Sequence, residues 1–409
     1  MTQNSGPLSH IRVLDLSRIM AAPWASQLLA DMGATVIKVE RPGQGDDTRS
    51  WGPPFLKDAQ GENTAEAGYY LSVNRGKQSL TVALDTPEGQ QIVRDLAADC
   101  DIVLENFKTG ALAKYGLDYA SLKKVNPRLI YCSVTGFGQD GPRRNEAAYD
   151  FLIQAMGGLM SITGERDDKP GGGPQKVGIP IVDLMTGMYT AVSVLAALAG
   201  REQTGEGEYI DLAMLDVQTA VLSNQAMNHL LSGKTPQRTG NAHPNIQPQD
   251  VYACADGNVI LAVGNDRQFV KLCEALKRPE LATDNRFNVN AQRARNVAEL
   301  TTLLQEEFAR WTRADLVDAL GKAGVPCGPI NSIPEVFQEP QIQHRKMLRT
   351  LPHPSGVDVP QVVCPINFSN RPLQFNSPPP LLGQHTENIL ADLGYDEARI
   401  RALRESGVV

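Results

Sequence analysis

Apolar positions along the chain fall into short strand-like runs separated by segments with helical spacing, and the first forty residues set the pattern. IRVLDL (11–16) is an apolar run with strand character. SRIMAAPWASQLLADMGA follows, with Trp24, Leu28, Leu29 and Met32 at helical intervals and a stop at Gly33. TVIKVE (35–40) is β-branched and alternating, as a strand would be. Strand, helix and strand in that order predict a βαβ unit and a parallel sheet. The pattern recurs in SLTVAL (79–84), the helical PEGQQIVRDLAADC, DIVLE (101–105) and LIYCSV (129–134). The expected fold class is α/β, with a Rossmann-like doubly wound sheet over roughly the first 200 residues.

A small-residue helix is expected over 183–198, and EYIDLAML (208–215) runs from strand into a helix reaching about Leu231. Residues 233–250 are polar and broken by Pro and Gly, which predicts a linker. The stretch 251–335 alternates two short strands, VYACA and VILAV, with helices at 266–277 and 292–322, the pattern of a smaller α+β domain. The tail is Pro-rich and closes with a helix near 386–394. The division expected is a large α/β domain over 1–225, a small α+β domain over 226–335 and a C-terminal segment over 336–409.

Composition narrows the function. Against 46 acidic residues stand 39 Lys and Arg, a net charge of −7. With no cationic excess to meet phosphates, nucleic acid is not an expected partner. The six cysteines form no CxxC pair, and reduced thiols are expected. The first residues lack the charged and apolar regions of a signal peptide. The most apolar run, Met188–Ala199, is short for a bilayer span. The expectation is a soluble cytoplasmic protein without a membrane partner.

Familiar catalytic signatures, including GxxxxGK[ST], HExxH and GxSxG, are absent, and the six histidines stand apart from other ligand types. No metal site is expected. Gly136, Gly138 and Gly141 match a dinucleotide fingerprint after a strand, but Pro142 follows where a helix should begin. A tight turn is the favoured reading there. Arg18–Ala22, in the first βα turn, offers small residues to a flat ligand, and Glu40–Arg41 could serve a ribose or a phosphate, or be a surface pair. Asp183 follows an apolar run and opens a small-residue helix with Gly187 one turn on. Local spacing favours an ordinary N-cap, while an ionised carboxylate with open space in front would be a covalent nucleophile. His243, in GNAHPN, reads as a turn residue that could line a cleft.

Longer blocks point to a family. VLDLSRIMAAPWASQLLADMGATVIKVERPGQGDDTR, YYLSVNRGKQSLTVALDTPEG, VLENFKTGAL, NPRLIYCSVTGFGQDGP, YDFLIQAMGGLMSITG, VGIPIVDLMTGMY and PPPLLGQHT, in this order, resemble the class III CoA-transferases. The family includes formyl-CoA transferase, carnitine CoA-transferase and, with altered chemistry, α-methylacyl-CoA racemase. GDDTRSWGPPF and YYLSVNR most resemble the succinate–hydroxymethylglutarate CoA-transferase branch. The resemblance implies an interlocked homodimer in which the C-terminal segment returns to the large domain. It implies CoA transfer from an acyl-CoA, such as succinyl-CoA, to a carboxylic acid through a mixed anhydride and an aspartyl-CoA thioester. The nucleophile falls on Asp183. CoA and the acyl-CoA are substrates, and no permanently bound cofactor is implied.

Position by position, the resemblance places CoA contacts at Arg18, Ile19, Ala21, Arg41, Val82, Leu84, Asn106, Phe107, Lys114 and Tyr149. Lys114 stands where formyl-CoA transferase has an arginine. Met20 replaces a substrate-touching glutamine, and the small domain lacks the tetraglycine loop, which disfavours formate and oxalate. The alternative activity is racemisation or isomerisation at the α-carbon. Tyr149 occupies the position of the racemase histidine, and tyrosine is a poor base at neutral pH. A CoA-binding protein without turnover is a third reading, against which Asp183 argues. A distal substrate carboxylate could pair with Arg75, Arg143, Arg144 or Arg166.

Overall fold

The computed structural model describes residues 6–409. Six strands, β1 (Arg12–Asp15), β2 (Thr35–Glu40), β3 (Lys77–Thr81), β4 (Ile102–Glu105), β5 (Ile130–Thr135) and β6 (Tyr209–Ala213), form one sheet. Their order is β3-β2-β1-β4-β5-β6, with every neighbour parallel. This is a doubly wound order, and it reverses between β1 and β4. A ligand crevice is expected at the carboxyl ends of those two strands.

Strand alternation builds two cores. Val13, Val36, Ile102 and Leu104 face one side, while Leu14, Ile37, Val39 and Val103 face the other, as the two-residue period of a pleated strand requires. Among the helices of this unit are α1 (Ala21–Asp31), α2 (Pro87–Asp99), α3 (Asp150–Met156) and α4 (Ile181–Thr204). Side chains of α1 and α4 pack on the first face. Those of α2, and of the C-terminal helices Thr386–Asp392 and Glu397–Glu405, cover the second.

Gly187 sets how closely α4 can approach α1. A Cβ there would lie 2.5 Å from the Ala21 carbonyl oxygen and 2.8 Å from Trp24 Cδ1. The space beside Gly187 is therefore taken by the helix crossing and is not open in front of Asp183. That crossing brings the first turn of α4 to the turn between β1 and α1.

Several element boundaries differ from the expectations. The helix expected over 183–198 is longer at both ends, a 24-residue helix over Ile181–Thr204. By length and composition alone this helix could cross a membrane. The helix after β6 breaks into Met214–Val221 and Ser223–Ser232, with Ser223 at φ +47°. The stretch expected as one helix over 292–322 is three: Asn290–Arg295, Val297–Phe308 and Arg313–Ala323. Thr312 caps the last by accepting the Asp315 N–H.

Two compact units result. One holds residues up to Leu159, Val177–Asn224 and Ile342–Val409; the other holds Met160–Lys176 and Gln225–Gln341. Residues 160–176 thus leave the N-terminal stretch to which the sequence assigned them. Arg238 accounts for this: it donates to the Ser161 carbonyl at 3.1 Å and pairs with Asp167. The second unit is built on a three-stranded antiparallel sheet, with Gly257–Ala262 between Gln249–Cys254 and Cys327–Pro329.

Candidate active site

The residues that leave the carboxyl ends of the strands converge. Arg18 to Ala21 follow β1, Arg41 follows β2, Val82 and Leu84 follow β3, and Asn106 and Phe107 follow β4. Two cavities form there in the first unit. The larger, about 1040 Å³, is lined in part by Arg18, Arg41, Val82, Leu84, Phe107 and Tyr115. The smaller, about 180 Å³, is lined in part by Arg18, Ile19, Ala21, Asn106, Phe107, Tyr149 and Asp183. Arg18 and Phe107 belong to both, so the cavities meet at those side chains. Lys114 lines neither; it is exposed on the turn Ala113–Tyr115, with its Nζ 4.5 Å from the Tyr115 ring centre. Gly136 lines the small cavity at the end of β5, in a turn rather than at a helix start.

Asp183 is the third residue of α4, not its cap. The capping carboxylate comes from Asp150, the first residue of α3, whose Oδ1 accepts the Val182 N–H at 2.7 Å and the Asp183 N–H at 3.2 Å. The Asp183 side chain is thereby released from capping. Among the described residues its carboxylate takes no hydrogen bond. Burial first, and then the Asp150 charge, push its pKa up to about 7. The carboxylate stands in a small cavity with its negative charge unrelieved by any bonded cation.

Asp150 is a site residue that sequence reasoning passed over. An acid opening the segment DFLIQAM is a visible helix-start signal, but its partner lies 32 residues ahead on another helix. Glu105 was missed in the same way. It accepts the Phe107 N–H at 2.7 Å and a bond from the Ser133 hydroxyl, and burial drives its pKa up to about 7 despite both bonds.

The ambiguous pair at the end of β2 separates. Glu40 is buried, holds Arg49 through both oxygens at 2.8 and 3.0 Å, and accepts the Ser79 hydroxyl at 2.6 Å. Arg41 points outward on the wall of the large cavity and bonds Gln44 at 3.0 Å. The four candidate arginines separate as well. Arg75 is buried and committed to Asp31, Gln361 and the Val362 carbonyl. Arg143 pairs with Glu146 and Arg166 with Asp168. Arg144 lines the Asp183 cavity. His243 lines a cavity of about 340 Å³ in the second unit, where its Nδ1 accepts the Asn245 and Ile246 N–H groups.

Comparison with known proteins gives the same direction. The sequence profile of CoA-transferase family III matches residues 8–386. A succinate–glutarate CoA-transferase of Agrobacterium fabrum is 50% identical over 393 residues, covering 96% of this chain and 97% of that relative. The human succinyl-CoA:glutarate CoA-transferase is 40% identical over 407 residues, covering 99% of this chain and 90% of the relative. The crystal structure of a CaiB/BaiF family protein from Brucella suis superposes with a TM-score of 0.83 at 49% identity, covering 95% of this chain and all of that one. Coverage this complete, joined to a doubly wound sheet whose strand ends carry the expected residues, shows that the chain belongs to CoA-transferase family III.

Proposed function

We propose that the protein transfers CoA from succinyl-CoA, or a similar dicarboxylyl-CoA, to a dicarboxylic acid, with Asp183 as the covalent nucleophile. Succinate and glutarate in the names of the relatives support the substrate class. The observation that carries the mechanism is the Asp183 carboxylate, relieved of capping by Asp150, without a hydrogen bond among the described residues and desolvated in a cavity that adjoins the larger one at Arg18 and Phe107.

The larger cavity would take the nucleotide, with Arg18 and Arg41 toward its phosphates and Val82 and Leu84 along the base. Phe107 would pack on the pantetheine arm, and Tyr149 would flank the thioester. Lys114, outside both cavities, would act only on phosphates reaching the surface. A carboxylate oxygen of Asp183 attacks the thioester carbonyl, the C–S bond breaks, and a mixed anhydride and CoA thiolate form. The thiolate attacks the Asp183 acyl carbon, which releases the donor acid and leaves an aspartyl-CoA thioester. The acceptor carboxylate attacks that thioester, giving a second anhydride and the thiolate again. The thiolate then takes the acceptor's acyl group and frees Asp183. Each step exchanges one acyl bond for another, so no proton or electron is left over.

The exposed apolar side chains Phe151, Leu152, Met188, Tyr189 and Val192, on α3 and α4, support the interlocked homodimer as part of this reading.

The test is Asp183→Ala. Transfer should fall by ~10³-fold or more, and hydroxylamine should label Asp183 in the wild type only when acyl-CoA is present. Transfer retained by the variant would refute the proposal, as would deuterium uptake at the α-carbon without an acceptor acid.

A further inference from the structure

The turn after β1, where the two cavities meet, has a backbone shape that its own residues disfavour. Ile19 lies at φ +73°, in the left-handed region. A β-branched residue is strained there, where glycine or asparagine would be at ease. Side chains from three other parts of the fold grip the peptide groups around it. Lys38 Nζ donates to the Ser17 carbonyl at 2.8 Å. The Arg18 N–H donates to Asn106 Oδ1 at 3.0 Å, and Asn106 Nδ2 donates back to the Arg18 carbonyl at 2.7 Å. The Ile19 N–H donates to the Asp46 carboxylate, 3.2 Å from each oxygen. Lys38 and Asp46 are themselves an ion pair at 2.9 Å, with side chains 0% and 1% exposed.

We infer that Lys38, Asp46 and Asn106 are positioning residues for the transfer reaction. They hold the strained turn in the shape that presents Arg18 to both cavities and the Ile19 side chain to the Asp183 cavity. The inference rests on the reading that acyl-CoA occupies these cavities. The Asn106 amide spends a donor and an acceptor on the Arg18 backbone, so it acts through the turn. Glycine at position 19 would relax the backbone but remove a wall of the cavity. Isoleucine keeps the wall, and the clamp holds the backbone that isoleucine resists. A fully buried ion pair contributes little net stability compared with apolar packing, whereas strain held by surrounding structure is common where geometry matters for function.

The experiment compares Asp46→Asn in two backgrounds, wild type and Ile19→Gly, with kcat and KM measured for succinyl-CoA. In the wild-type background kcat/KM should fall at least tenfold. In the Ile19→Gly background the same change should cost less than threefold, because glycine holds the left-handed conformation unaided. Equal losses in both backgrounds would overturn the inference. If Asp46→Asn does not fold, Asn106→Ala leaves the ion pair intact and must show the same rescue by Ile19→Gly; no rescue overturns the inference. Amide exchange at Ile19 separates this from the functional reading. Exchange should speed at least tenfold on loss of either clamp whether or not the protein turns over succinyl-CoA, and unchanged exchange refutes the clamp even in an active transferase.

Discussion

Asp15 and Asp183 are both carboxylates drawn out of water within one unit of the fold, and they lie on opposite sides of the ordinary carboxylate range. Asp15 ends β1 with no exposed surface. Burial alone would raise its pKa, but Lys77 at 3.2 Å, the Lys38 charge and the Ser17 and Ser26 hydroxyls outweigh burial and bring it down to about 2. At Asp183 burial is joined by the like charge of Asp150, with no cation bonded to the carboxylate among the described residues, and the pKa rises to about 7. What differs is the company each carboxylate keeps. Beneath the strand ends, Asp15, Lys77, Lys38, Asp46, Glu40 and Arg49 pair with one another and hold the turns in place. At the start of α4 one charge is left unsatisfied, which keeps it available to attack an electrophile.

Breaking the paired side should have the largest effect on stability. Asp15→Ala leaves Lys77 with an uncompensated buried charge, while Lys38 keeps Asp46, and should destabilise the fold by about 3–5 kcal/mol, read from denaturant unfolding. Because the folded pKa of Asp15 is below its unfolded value, its contribution is present above pH ~4 and disappears as pH falls toward 2. Wild type and Asp15→Ala should therefore converge in acid.

The unpaired side should respond with the opposite sign. The raised folded pKa of Asp183 means that ionising it opposes folding as pH rises from about 4 to 7. Asp183→Asn should be more stable than wild type at pH 8 by about 1–3 kcal/mol, with the difference vanishing near pH 4. A variant less stable than wild type at pH 8 would show that the carboxylate has a partner in solution.

Activity should follow the same group. Below pH ~7, kcat/KM for acyl-CoA should fall about tenfold per unit as Asp183 is protonated. Asp150→Asn removes the like charge and should move that limb to lower pH. The smallest effect concerns Arg144, the candidate arginine on the Asp183 cavity wall. Arg144→Ala should raise KM about tenfold for a dicarboxylic acceptor and leave a monocarboxylic acceptor unchanged.

Much of the sheet was legible because its signals are local. IRVLDL, TVIKVE, DIVLE and LIYCSV become β1, β2, β4 and β5 within a residue or two. Apolar runs of that length, joined by helical segments, have few other ways to bury both faces. The breaks in the later helices were less visible. At Ser223 a left-handed residue turns the chain without glycine or proline to announce it. The pairing of Leu348–Pro352 with Asp358–Val362 was hidden by the prolines of the tail.

The sequence by itself determined the α/β class, through residue type and local spacing, and the family resemblance, through long ordered blocks of residues; that resemblance, and not the local spacing, singled out Asp183 as the nucleophile. Tertiary structure decided which charges are committed and which are free. Glu40 and Arg75 read along the chain as possible ligands, and the fold assigns them to Arg49 and to Asp31; Asn106, which the resemblance places against CoA, lines the small cavity and binds the Arg18 backbone. Asp150 caps α4 from another helix and relieves Asp183 of that task. The physical reason is that a charged group's behaviour is set within a few ångströms by burial and partners, and those partners lie tens to hundreds of residues away in sequence.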